Sequence, residues 1–178
     1  MANYYVYLIS SLPMLNFGAS PPFSFEGFLA RCEELIPQKD LKVLKAIPSA
    51  WELQLNVAVL KKIQGFDTML RNELVRVRAA YRKVDPAKYL RPDGYAGHSI
   101  YHIALAAHRN PSPLEGERLL DRERWNFLDE LSFGHYFDPD FLIIYASKLL
   151  IMERWERINK SDKAGLLEDY LPPDQLLV

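Results

Sequence analysis

The chain has 178 residues, 49% hydrophobic and 25% charged, with 22 Lys and Arg against 23 Asp and Glu for a formal net charge of −1. This length suits one domain with a real core, and the balanced charge excludes a disordered chain and disfavours binding to duplex nucleic acid through bulk positive charge. The single cysteine, Cys32, rules out an internal disulfide; on the apolar side of a predicted helix it reads as a core thiol rather than a nucleophile, and it suits the cytoplasm.

The N-terminal "MANYYVYLISSLP" is apolar, but it has no basic leader and reaches Pro13 early, so a signal peptide is not expected. Within it, Tyr4 to Ser10 has the aromatic and β-branched content of a strand and is the one strand candidate. A lone strand makes no sheet: it packs on helices, pairs with a second copy to give a homodimer, or is helical after all. In "SFEGFLARCEELI" the apolar Phe25, Phe28, Leu29, Cys32, Leu35 and Ile36 recur at helical spacing, with Ser24 as N-cap and Pro37 as stop. A short helix from Asp40 to Ala46 follows. Ser49 and Glu52 have the capping-box spacing that opens another, running to Gln64.

From Phe66 to Val84 a further helix is predicted. Phe66, Leu70, Leu74, Val77, Tyr81 and Val84 form one face and Arg71, Arg78 and Arg82 an adjacent one, with Arg76 and Lys83 beside it. Arginine suits bidentate contact with carboxylates, so this stripe is a candidate contact surface. The stretch "GYAGHSIYHIALAAHR" places His98 and His102 four apart on one helical face, the spacing with which metallopeptidases grip zinc. Arg109 shares that stripe, His108 faces another way, and no third ligand completes a set. His98, His102 and Arg109 therefore read as a polar contact strip, and no metal or other cofactor is expected. His135 reads as ordering the turn before the next helix.

No glycine-rich phosphate cradle or nucleophile motif occurs. Asp121, Glu123, Asp129 and Glu130 are interleaved with arginines at ion-pair spacing and read as a solvated face. The tripeptide "ERW" occurs at Glu123 and again at Glu153, read as a chance recurrence that puts two tryptophans near helix surfaces. The most apolar run, Phe141 to Met152, contains Lys148 and falls short of the roughly 20 residues that cross a bilayer, so it reads as a buried helix. It belongs to a helix from Asp138 and Pro139 to Asn159, with a last short helix from Ser161 to Tyr170. The reading is all-α: a single compact domain, residues 1–170, of roughly eight mostly antiparallel helices with a short strand-like N-terminal segment, and a tail at 171–178.

The segments "NYYVYLISSLPML", "LRNELVRVRAA", "LDRERWNFLDEL" and "FDPDFLIIYASKLLIMERW" resemble a family of short bacterial proteins of unknown function encoded among the subunits of V/A-type rotary ATPases. More remotely, the chain resembles the C (d) subunit of those enzymes, an all-helical adaptor between rotor ring and central shaft, although it has about half the expected length. The resemblance implies a non-enzymatic subunit or assembly factor, cytoplasmic or peripheral to the membrane through a complex. Its partners would be ATPase subunits of the central stalk or rotor ring, with no nucleic acid and no direct membrane insertion. The alternatives are a small metal-dependent hydrolase using the histidine helix and an unrelated helical scaffold module.

Overall fold

In the computed structural model, which describes residues 3–49, 56–92 and 100–170, every regular element is helical. The order is α1 (Asn3–Ser11), α2 (Phe25–Glu33), α3 (Gln38–Ala46), α4 (Ala58–Arg82), α5 (Tyr101–Arg109), α6 (Pro113–Ser132) and α7 (Pro139–Tyr170), with 3-10 turns at Ile47–Ser49 and Pro86–Lys88.

The strand expected at Tyr4 to Ser10 is the helix α1. Its buried residues Leu8 and Ile9, and the partly buried Tyr5 and Leu12, follow the 3.6-residue period and pack on the core, and the Tyr5 hydroxyl donates to Asp40 on α3. Tertiary contact here outweighs the β propensity of the tyrosines. Two further expectations merge. The helices expected to end at Gln64 and begin at Phe66 are one: α4 starts at Ala58 and continues through Gly65, while Glu52 of the expected capping box lies outside the described residues. Likewise α7 runs unbroken past Asn159 and Ser161 to Tyr170. Seven α-helices therefore stand, among the described residues, where roughly eight were expected.

The caps are local and readable. Ser24 accepts from the Gly27 amide, Ser112 from Glu115, and Asp138 Oδ1 from Phe141 at 2.8 Å. His135 Nδ1 lies 2.6 Å from the other Asp138 oxygen, which ties the turn to the start of α7. At the end of α4, Lys83 takes a left-handed conformation (φ 54°), and the amides of Lys83 and Val84 return to the carbonyls of Ala80 and Ala79.

Two apolar clusters form the interior. The first gathers α1, α2, α3, the start of α4 and the first half of α7 around Phe28, Cys32, Leu44, Leu60, Leu142 and Leu149. The second joins α4, α5 and α6 through Phe66, Leu70, Leu74, Val77, Ala104 and Leu120. Neighbouring residues of α6 serve one cluster each: Leu128 enters the first, while Phe127 stacks on Phe66 of the second with centroids 4.1 Å apart. The run from Leu142 to Ala146 is wholly buried, as a core helix requires, and no helix among the described residues is long and apolar enough to cross a membrane. Tyr81 and Val84, expected on the apolar face with Phe66 and Leu70, are exposed. Trp125 and Trp155, read as near-surface, are buried.

Candidate functional site

Two features of the fold gather charged and aromatic side chains. One is a seam where α4, α6 and α7 meet; the other is an open cleft between α4 and α5.

At the seam, Asp121 of α6 is 1% exposed rather than part of a solvated face. Its Oδ1 accepts from Arg124 at 2.8 Å and from Arg154 at 3.1 Å; its Oδ2 accepts from Arg154 at 2.8 Å and from the Trp155 indole N–H at 3.0 Å. Arg124 also donates through Nε to Asp67 of α4 at 2.7 Å, and Arg154 pairs with Glu117 at 3.1 Å. Arg71 Nε stands 2.7 Å from Asp67 Oδ2, which is held by charge rather than by a directed hydrogen bond. The two "ERW" tripeptides thus meet in space, with both their arginines on one carboxylate. The carboxylates at either side hold the Arg124 guanidinium firmly in its charged form against the cost of its burial.

Three arginines face three carboxylates, so the seam is neutral as a whole. A buried carboxylate satisfied by several donors is a lock between helices, and the balance leaves no surplus charge to attract an ion. A cavity of about 310 Å³ opens beside it, walled by apolar residues such as Leu60, Phe127 and Ile151.

The second feature is a cleft of about 760 Å³ along the C-terminal half of α4 and the outer face of α5. Val77, Ala80 and Leu105 form its floor, Tyr81 and Tyr101 its aromatic walls, and Arg76, His108 and Arg109 its polar edge. Arg76 is engaged by Glu73 one turn earlier, and His108 meets the Tyr81 ring edge-on at 5.5 Å. Arg109 is exposed and makes no ion pair among the described residues. Charge is unevenly divided along the chain: residues 71–109 carry eight Lys and Arg against three Asp and Glu, whereas residues 110–178 carry eight against fourteen. A nearly neutral protein therefore has a basic segment, and four of its exposed large side chains, Tyr81, Val84, Tyr89 and Tyr101, fall in that segment.

The sequence-predicted residues divide between these features. Arg71, Arg78 and Arg82 do share one stripe, within about 40° of each other around α4. Arg71 is bound into the seam through Asp67, while Arg78 and Arg82 are exposed. The stripe lies about 180° from Ala80, so it faces away from the cleft. His102 is exposed but does not line the cleft, which His108 and Arg109 do. His98 lies outside the described residues. Among the described residues no group of three His, Cys, Asp or Glu is placed to hold a metal ion.

The class defined by these observations is an all-helical protein with a charge-locked interior and a basic, tyrosine-lined cleft. Residues 101–167 match the model of a family described as protein of unknown function, DUF2764. That stretch covers α5, α6 and most of α7, hence Asp121, Arg124, Arg154, Trp155, His108 and Arg109, while Asp67 and the arginines of α4 lie outside it. Neither the comparison with curated proteins nor that with solved structures gives a match.

Proposed function

We propose that this protein is a non-enzymatic helical subunit or assembly factor of a V/A-type rotary ATPase, acting by protein contacts near the central stalk and membrane rotor. The sequence resemblance supplies the partner. The observation that supports a contact role is the division of the charges: those of the seam neutralise each other, while Arg78, Arg82 and Arg109 stand at the surface without an ion pair among the described residues. Exposed arginines and tyrosines are the side chains that interfaces favour. A stiff helical body with such surfaces is what a rotor adaptor needs; on this reading the protein is cytoplasmic and peripheral to the membrane through its complex.

The test is affinity purification of the tagged full-length protein from gently solubilised native membranes. Stalk or rotor subunits of the ATPase should co-purify in fixed proportion. Replacing Arg78, Arg82 and Arg109 together by alanine should cut that recovery several-fold with helicity and melting temperature unchanged. Arg71 is left intact because its loss would disturb Asp67. Purification without any ATPase subunit would remove the proposal.

A further inference from the structure

We propose that the cleft between α4 and α5 docks an acidic helical segment of a protein partner, with one apolar or aromatic side chain of that segment seated between Tyr81 and Tyr101. The proposal deepens the reading above and rests on it only in taking the occupant to be a protein.

Three observations carry it. First, the floor of the cleft is aliphatic, formed by Val77, Ala80 and Leu105, and its volume of about 760 Å³ has room for several side chains. A surface between two packed helices is the shape into which a third amphipathic helix fits. Second, the charge at the cleft is complementary to an acidic occupant: Arg76 and Arg109 line it, no Asp or Glu is among its described lining residues, and Arg109 makes no ion pair among the described residues. Third, Tyr81 is 80% exposed, a large ring held over the cleft by its edge contact with His108 rather than folded into the core. Cations at the edge with an aliphatic floor suit a helix bearing carboxylates beside an apolar anchor. A single nucleic-acid strand would instead ask for cations along its whole track and stacking faces below it. Here the floor offers neither.

The test places a photo-crosslinking amino acid at position 81 in the full-length protein, expressed in its native cells, with the same group at Lys42 on α3 as a control. The expected adduct is a partner peptide rich in Asp and Glu that contains an apolar or aromatic residue. Arg109→Glu should lower the yield at least tenfold, and Lys42→Glu should leave it unchanged. Tyr81, Arg109 and Lys42 are all exposed, so an unchanged melting temperature should accompany each variant. A nucleic-acid or lipid adduct, a peptide without acidic excess, no adduct at all, or a yield indifferent to Arg109→Glu would each overturn the cleft assignment. The two proposals fail separately. An acidic peptide from a protein outside the ATPase upholds the cleft and removes the rotary-ATPase reading; an ATPase subunit captured through a segment without acidic excess does the reverse.

Discussion

Cys32 is fully buried on the inner face of α2, and burial alone lifts its thiol from 9.0 to about 12. Tyr145, which donates its hydroxyl to the Pro13 carbonyl at 3.0 Å, is lifted from 10.0 to about 12, mainly by burial, with Arg31 opposing. Both groups are held in their neutral, protonated forms. Above pH 9 the unfolded chain loses these protons first, so the folded state holds more of them and stability must fall as pH rises. Their part of the decline begins near pH 9 with Cys32, steepens near pH 10 as Tyr145 joins, and ends near pH 12; Tyr5, raised by burial and by its bond to Asp40, adds to it above pH 10. Each group contributes up to about 1.4 kcal/mol per pH unit. Urea titrations at pH 8, 10 and 11 should follow this course, and Cys32→Ala should make the decline shallower. A stability indifferent to pH across that range would show that neither group keeps its proton through burial. The native thiol should also resist alkylation at pH 8, where an unfolding concentration of urea exposes it. A neutral, inaccessible sulfur is a packing group and not a nucleophile.

At the element scale, α5 and α6 pack closely at Gly116. A Cβ built on Gly116 would stand 2.7 Å from the backbone carbonyl oxygen of Ala107. Gly116→Ala gains about 1 kcal/mol of helix propensity, but the clash is with the backbone of Ala107, in the last turn of α5 and six residues before α6 begins, so a helix and not a side chain would have to shift. Overpacking of this kind costs roughly 1–3 kcal/mol and should exceed the gain. A lowered melting temperature by circular dichroism is the expected result; a raised one would mean that α5 slides freely on α6. Much of this level is legible in the sequence. Ser24 and Asp138 mark their helix starts, and the apolar spacing of α2 is the buried face observed. The failures have physical causes. In α1 nine residues carry too few periods to outweigh tyrosines of high β propensity, and only contact with Asp40 and the first core settles the matter. Asp121 has an arginine three residues on, as a surface pair would; its other donors, Arg154 and Trp155, come from a helix more than thirty residues later, beyond any local spacing. The recurring "ERW" was the signal that could have found them. Tyr81 continues the apolar stripe of α4, and nothing local reveals that its ring stays exposed.

Over the whole molecule, the seam ties α4, which like α6 enters both cores, to α6 and α7. Removing Asp121 would leave Arg124, Arg154 and the Trp155 indole without their common acceptor. Loss of one partner from a buried ionic cluster costs about 3–5 kcal/mol; because Arg154 is 41% exposed and can turn to water, Asp121→Ala should sit at or just below the lower end of that range. Denaturant titration measures it, with Arg78→Ala as a surface control expected within about 0.5 kcal/mol of the parent. Equal stabilities would show that the seam is ornamental to the fold. The proposed binding surfaces lie elsewhere, on the basic segment, so a variant that breaks the seam should be read as a folding defect and not as lost recognition. The placement of the tryptophans turns this separation into an optical one. Trp125 lies beneath Lys148, and Trp155 is bonded to Asp121, so both indoles report on the contact of α6 with α7, while among the described residues no tryptophan lines the α4–α5 cleft. With Trp51 replaced by phenylalanine, the intrinsic emission of the protein becomes a gauge of the seam alone: red-shifted when helices part, and silent when a partner settles against the tyrosines.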